Sequence, residues 1–107
     1  MIKIIRKNEG KKHKIAENKL AINLITKEIS QGVSLAVIEA ENYSEEENTL
    51  YDRIYFVTEG NLILTTNSNE QILGIGDSCF ISKGTTYTMA GTFKLLVINQ
   101  PAFGTVS

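Results

Sequence analysis

The 107-residue sequence holds one cysteine, one proline, one histidine and no tryptophan. Each scarcity excludes something. Cys79 has no partner in the chain, so no internal disulfide staples the fold and an apolar core must hold it. A lone histidine, His13, cannot supply the converging imidazoles of a conventional transition-metal site. Charge of neither sign dominates: the formal net charge is −1, which removes the basic excess that nucleic acid or an anionic membrane would attract. No run of about 18 apolar residues is present, and the opening MIKIIR is too short for a signal peptide, so a cytoplasmic protein is expected. Apolar periodicity at helical spacing is missing as well. No helix-turn-helix segment is therefore expected, which argues against a transcription factor.

Strand signals are abundant. Residues 21–26 read AINLIT, 33–40 VSLAVIEA, 53–58 RIYFVT, 61–66 NLILTT and 93–99 FKLLVIN. β-Branched and aromatic residues of this kind suit a pleated, half-buried surface. Glu59-Gly60-Asn61 has the chemistry of a hairpin turn, since Gly and Asn tolerate positive φ. Asn67-Ser68-Asn69 offers a second turn, and Gly74, Gly76, Gly84 and Gly91 continue the punctuation. Short strands with glycine-rich turns and almost no proline predict a single all-β domain, a sandwich or barrel. Two polar stretches are expected as solvated loops. One is residues 7–19, with its Lys11-Lys12-His13-Lys14 cluster, following an edge strand near residue 1; the other is residues 42–48, with Glu45-Glu46-Glu47.

The second half carries a recognisable pattern. Residues 76–91 read GDSCFISKGTTYTMAG, which resembles the second sequence motif of the cupin superfamily in Gly76, Asp77, Ile81, Lys83 and Gly84. Residues 53–60, RIYFVTEG, resemble the end of the first cupin motif. Tyr51-Asp52-Arg53-Ile54 leading into Val57-Thr58-Glu59-Gly60, then residues 76–84, then LLVINQP at 95–101 resemble the EutQ-like cupins of ethanolamine utilisation, and residues 34–40 fit the preceding strand. The resemblance covers about residues 20–103. It implies a jelly-roll barrel of two antiparallel sheets and a homodimer in which N-terminal strands extend a partner's sheet.

The resemblance also locates what is missing. Tyr87 stands where a metal-binding histidine is usual, Arg53 where a glutamate ligand is usual, and the His-x-His pair falls near Glu47 and Thr49 or one residue earlier. A fixed cation repels a metal and donates no lone pair. No metal, no other cofactor and no catalytic residue are therefore expected. By period-two alternation Arg53, Tyr55 and Val57 share one strand face, and Tyr87 and Met89 share a face on another. Arg53, Tyr55, Tyr87, Met89 and Glu47 form the candidate ligand site. A guanidinium fork beside phenols suits a small anionic or hydroxylated ligand. The same residues also suit an internal plug in which Arg53 pairs with Glu47 or Glu46. The functional expectations are a metal-independent binder of a small polar metabolite or an accessory, structural homodimer. The alternative is a metal-free isomerase, epimerase or cyclase of sugar-like substrates, using Tyr87 and Arg53. Ile54 and Phe56 alternate outward, and with Ile2, Ile4 and Ile5 they favour a sheet covered by a partner copy.

Overall fold

A computed structural model describes residues 1–106. After a 3₁₀ turn at Lys7–Glu9, seven strands follow: β1 (Lys11–Ala16), β2 (Lys19–Ile25), β3 (Ser34–Asn48), β4 (Asp52–Thr66), β5 (Asn69–Leu73), β6 (Ser78–Ile81) and β7 (Thr86–Gln100). Every pairing is antiparallel. The neighbour order is β1-β2-β3-β7-β4-β5, with β6 pairing β4.

The two layers of the expected jelly roll are joined into one hydrogen-bonded sheet, because three 15-residue strands each serve both layers. One layer contains β1, β2, residues 34–40 of β3, residues 93–99 of β7, residues 52–57 of β4, and β6. The other contains residues 43–48 of β3, residues 86–91 of β7, residues 61–66 of β4, and β5. The crossing points are irregular. The β3–β7 register shifts between Ala40 and Tyr43, where Asn42 has φ 46°, and the β4–β7 register shifts between Val57 and Glu59. Gly60 (φ 73°) and Gly91 (φ 123°) take conformations that L side chains rarely adopt. A Cβ on Gly60 would strike the Thr92 carbonyl oxygen, and one on Gly91 the Asn61 carbonyl oxygen. Both strands therefore bend against each other where only hydrogen fits.

This geometry corrects three expectations. Glu59-Gly60-Asn61 is a bend within β4, not a hairpin; the positive-φ signal was real, but the chain continues into the opposite layer. Residues 42–48 are the second half of β3 rather than a solvated loop, with Tyr43, Glu45 and Glu47 turned inward and Ser44, Glu46 and Asn48 outward. Within residues 7–19, β1 forms a hairpin with β2 in place of a loop, and residues 1–6 adopt no strand.

Between the layers lies one apolar core, with Val57, Leu62, Leu95 and Met89 fully buried. The alternation in β4 follows the predicted register: Arg53, Tyr55 and Val57 are buried while Ile54 and Phe56 are exposed. A slip of one residue would reverse all five. No helix is long and apolar enough to cross a membrane among the described residues.

Candidate functional site

Opposite halves of the barrel bring the candidate residues together. Arg53 and Tyr55 come from β4 in the first layer, Tyr87 and Met89 from β7 in the second, and Glu47 from β3 directly across from Tyr87. Arg53 is 6% exposed. Its Nε donates to Asn99 Oδ1 at 2.7 Å. Its Nη1 donates to Tyr87 Oη at 2.9 Å and Glu47 Oε1 at 3.2 Å, and lies 3.5 Å from Tyr55 Oη. The Tyr55 and Tyr87 hydroxyls are 2.7 Å apart, and Tyr87 Oη donates to Glu47 Oε2 at 3.3 Å. Each phenol has one proton. Tyr87 giving its proton to Glu47 and Tyr55 giving its own to Tyr87 uses each once, and forms a chain Tyr55–Tyr87–Glu47 alongside the guanidinium.

The electrostatics follow from burial. Desolvation would by itself disfavour the Arg53 cation, but the phenol oxygens and Glu47 outweigh it and hold the guanidinium protonated. Burial pushes the Tyr55 phenol well above its usual range, and Tyr87 opposite adds to this. Burial also raises Tyr87, against the opposing pull of Arg53. Both hydroxyls therefore stay neutral at physiological pH and act as oriented dipoles. Cys79 is raised by burial too, which keeps it a thiol and makes it a poor nucleophile.

The Arg53–Glu47 ion pair exists, and an adjoining cavity of about 530 Å³ exists as well. Arg53, Tyr55, Met89, Glu47 and Asn99 face that cavity, whose apolar wall includes Ala21, Ile38 and Val97. The plug and the pocket were posed as alternatives; the pair instead forms part of the pocket wall. Arg53 spends only Nε and Nη1 on the protein. Its Nη2 has no partner among the described residues.

Five further residues join the site: Asn99, Lys19, Glu45, Tyr43 and His13. Asn99 fixes Arg53 from the facing register position of β7. Lys19 is 8% exposed and sits beside Glu45 and over the Tyr43 ring. Tyr43 donates to Glu45, and its phenol is raised by burial and by that bond. Alternation could have found Asn99, two residues beyond Val97, and Lys19, two before Ala21. His13 also borders the cavity, from β1.

Arg53, Tyr87 and Glu47 thus form one bonded group, a guanidinium, a neutral phenol and a carboxylate in contact with both. Among the described residues no three His, Cys, Asp or Glu side chains are grouped as a metal ion would require.

No family model matches the sequence, and no curated protein matches it. Solved structures do match the fold. KdgF from Halomonas shares it with a TM-score of 0.85 at 9% identity, each chain covering 97% of the other. An RmlC-like cupin from Shewanella frigidimarina matches with a TM-score of 0.79 at 14% identity, over 92% of this chain and 90% of that one. The EutQ protein of Clostridium difficile matches with a TM-score of 0.75 at 21% identity over 79% of this chain, which spans 64% of the EutQ length. The chain has the cupin fold, and its EutQ-like sequence stretches lie on a barrel shared with EutQ.

Proposed function

We propose that this cupin barrel is a metal-independent binder of a small polar or anionic metabolite, held in the cavity beside Arg53. The observation that carries the reading is the free Nη2 edge of a buried guanidinium on a cavity wall. A charge-assisted bond from Nη2 to a ligand oxygen is stronger beside such a low-dielectric wall than in open water. Tyr55, Tyr87 and Glu47 fix the guanidinium, and Tyr55, Glu47 and the Met89 thioether face the cavity beside it. Apolar lining with few convergent polar groups is the usual form of a small-molecule site. The donor set supports metal independence, because Arg53 places a permanent positive charge among the residues a cation would need. Catalysis with Tyr87 as base is less well supported, since a phenol held above its usual range is seldom ionised near neutrality.

Thermal-shift measurements on chelator-treated, untagged protein test this, with small carboxylates, sugars and polyols as probes. Stabilisation by a carboxylate or hydroxylated compound is expected, and it should fall in the Arg53→Lys variant, which keeps the charge and loses the fork. Stoichiometric iron, manganese, nickel or zinc by elemental analysis, required for any such binding, would overturn it.

The same reading includes a homodimer. Ile54, Phe56 and Phe80 are 39%, 42% and 64% exposed and lie on one outward face of paired β4 and β6, next to outward Leu96 and Ile98 of β7. An apolar sheet face spanning several strands favours coverage by a second copy.

A further inference from the structure

Lys19 is a buried cation whose hydrogen-bond partner is a thioether. Its side chain is 7% exposed, yet its ammonium has no oxygen or nitrogen within hydrogen-bonding distance among the described residues. Glu45 Oε1 lies 3.8 Å away, Met89 Sδ 3.9 Å, and the Tyr43 ring centroid 4.7 Å. A thioether is a weak acceptor, and three ammonium protons need more. Lys19 and Glu45 border the same cavity as Arg53. The two cations are linked across its floor by three contacts: Lys19 Nζ to Met89 Sδ at 3.9 Å, Met89 Sδ to Tyr55 Oη at 3.7 Å, and Tyr55 Oη to Arg53 Nη1 at 3.5 Å. Both carboxylates beside them already accept from phenols, Glu45 from Tyr43 and Glu47 from Tyr87. The wall therefore offers two cations able to take a further oxygen acceptor, beside carboxylates that already accept from phenols.

We infer that the cavity takes a short-chain acid with an oxygen acceptor at each end, its carboxylate on Arg53 Nη2 and its far oxygen, hydroxyl or carboxylate, on Lys19 Nζ. This rests on the proposed binding role and adds the second anchor and the ligand's two-ended form. Charge separates the two kinds of far group. Each cation has one neighbouring glutamate, so a hydroxy acid adds a single negative charge to a balanced wall while a dicarboxylate adds two.

Isothermal titration with butyrate, 4-hydroxybutyrate and succinate, and with the corresponding five- and six-carbon sets, tests the inference. At one chain length the two-ended acid should bind about tenfold more tightly than its monocarboxylate, the worth of one charge-assisted hydrogen bond. Lys19→Met should erase that advantage, so that the two-ended acid and the monocarboxylate of one length bind alike. If Lys19→Met does not fold, Lys19→Gln serves the same comparison. Glu45→Gln, which frees Lys19 from its neighbour, should favour the dicarboxylate over the hydroxy acid. Monocarboxylate binding that needs Arg53 but shows no two-ended advantage at any length, or an advantage that survives loss of Lys19, overturns this inference alone. Absence of binding by every acid overturns the binding role with it.

Discussion

Replacing Arg53 by methionine removes the guanidinium while keeping much of the side chain's volume, so the change measures the polar network more than a cavity. Three acceptors lose a donor, Asn99 Oδ1, Tyr87 Oη and Glu47 Oε1, of which Tyr87 Oη still accepts from Tyr55. Asn99 and Tyr87 are buried, whereas the Glu47 side chain is 23% exposed and keeps some access to water. Breaking a buried ion pair from one side costs about 3–5 kcal/mol. The partial exposure of Glu47 places this case at about 3 kcal/mol, and at about 4 °C per kcal/mol for a domain of this length the melting temperature should fall by about 12 °C. Glu47→Gln in the Arg53→Met background should restore part of the loss, because it removes the stranded carboxylate. Urea unfolding followed by far-ultraviolet circular dichroism on wild type, both single variants and the double variant gives the coupling energy, expected at about 1–2 kcal/mol. A loss below about 1 kcal/mol, with strict additivity, would place Arg53 among ordinary surface ion pairs and refute its description as a buried anchor.

Alkaline titration followed at the tyrosinate absorption band should show Tyr55 and Tyr87 ionising later than a free phenol. Their folded values are raised, so the stability they contribute is full below the free phenol range and declines as pH climbs from that range through the folded values; early, complete ionisation of a folded protein would contradict their burial. Gly91→Ala should destabilise by several kcal/mol, about 3 or more, since it combines positive φ with collision against the Asn61 carbonyl; a melting curve matching wild type would refute the close crossing of β4 and β7. Leu95→Ala, at a fully buried position, should cost about 2–5 kcal/mol in denaturant unfolding, and a cost below 1 would deny its place in the core. Phe56→Glu together with Phe80→Glu should convert a dimer of about 24 kDa, twice the 11.9 kDa chain, into a folded monomer by light scattering; wild-type protein that is already monomeric at micromolar concentration would remove the dimer from the proposal.

The barrel was legible because its strands alternate cleanly. Arg-Ile-Tyr-Phe-Val at 53–57 sorts inside from outside residue by residue, and the structure keeps that order. The Arg53–Tyr55–Tyr87–Met89–Glu47 group was legible through alternation joined to motif position. Lys19, Glu45 and Tyr43 were not, for a physical reason. Charged residues normally read as solvated, and Lys19 and Glu45 lie in polar stretches whose periodicity is carried by lysines and glutamates rather than by apolar residues. Lys19 needed a count back from Ala21 into that polar stretch, and for Glu45 only the facing strand β7 shows that alternate residues of 43–48 point inward. Gly60 failed differently: positive φ permits a hairpin or a bend, and the choice rests on whether the following strand pairs with the preceding one. Here it pairs with β7 instead.

The position of β7 has a consequence for how the chain comes to be folded at all. This strand separates β3 from β4 along both halves of the barrel, and no β3–β4 pairing exists without it. It is also the last of the described strands to leave a ribosome. Until residues 86–100 emerge, β3 and β4 have exposed edges and Arg53 lacks both Tyr87 and Asn99. Most of the barrel's pairing must therefore wait until β7 has been synthesised, and then form across long stretches of sequence, which slows folding and prolongs exposure of sticky edges. A nascent chain stalled before β7 should be open to proteases throughout, whereas one stalled after it, with β7 clear of the exit tunnel, should be resistant.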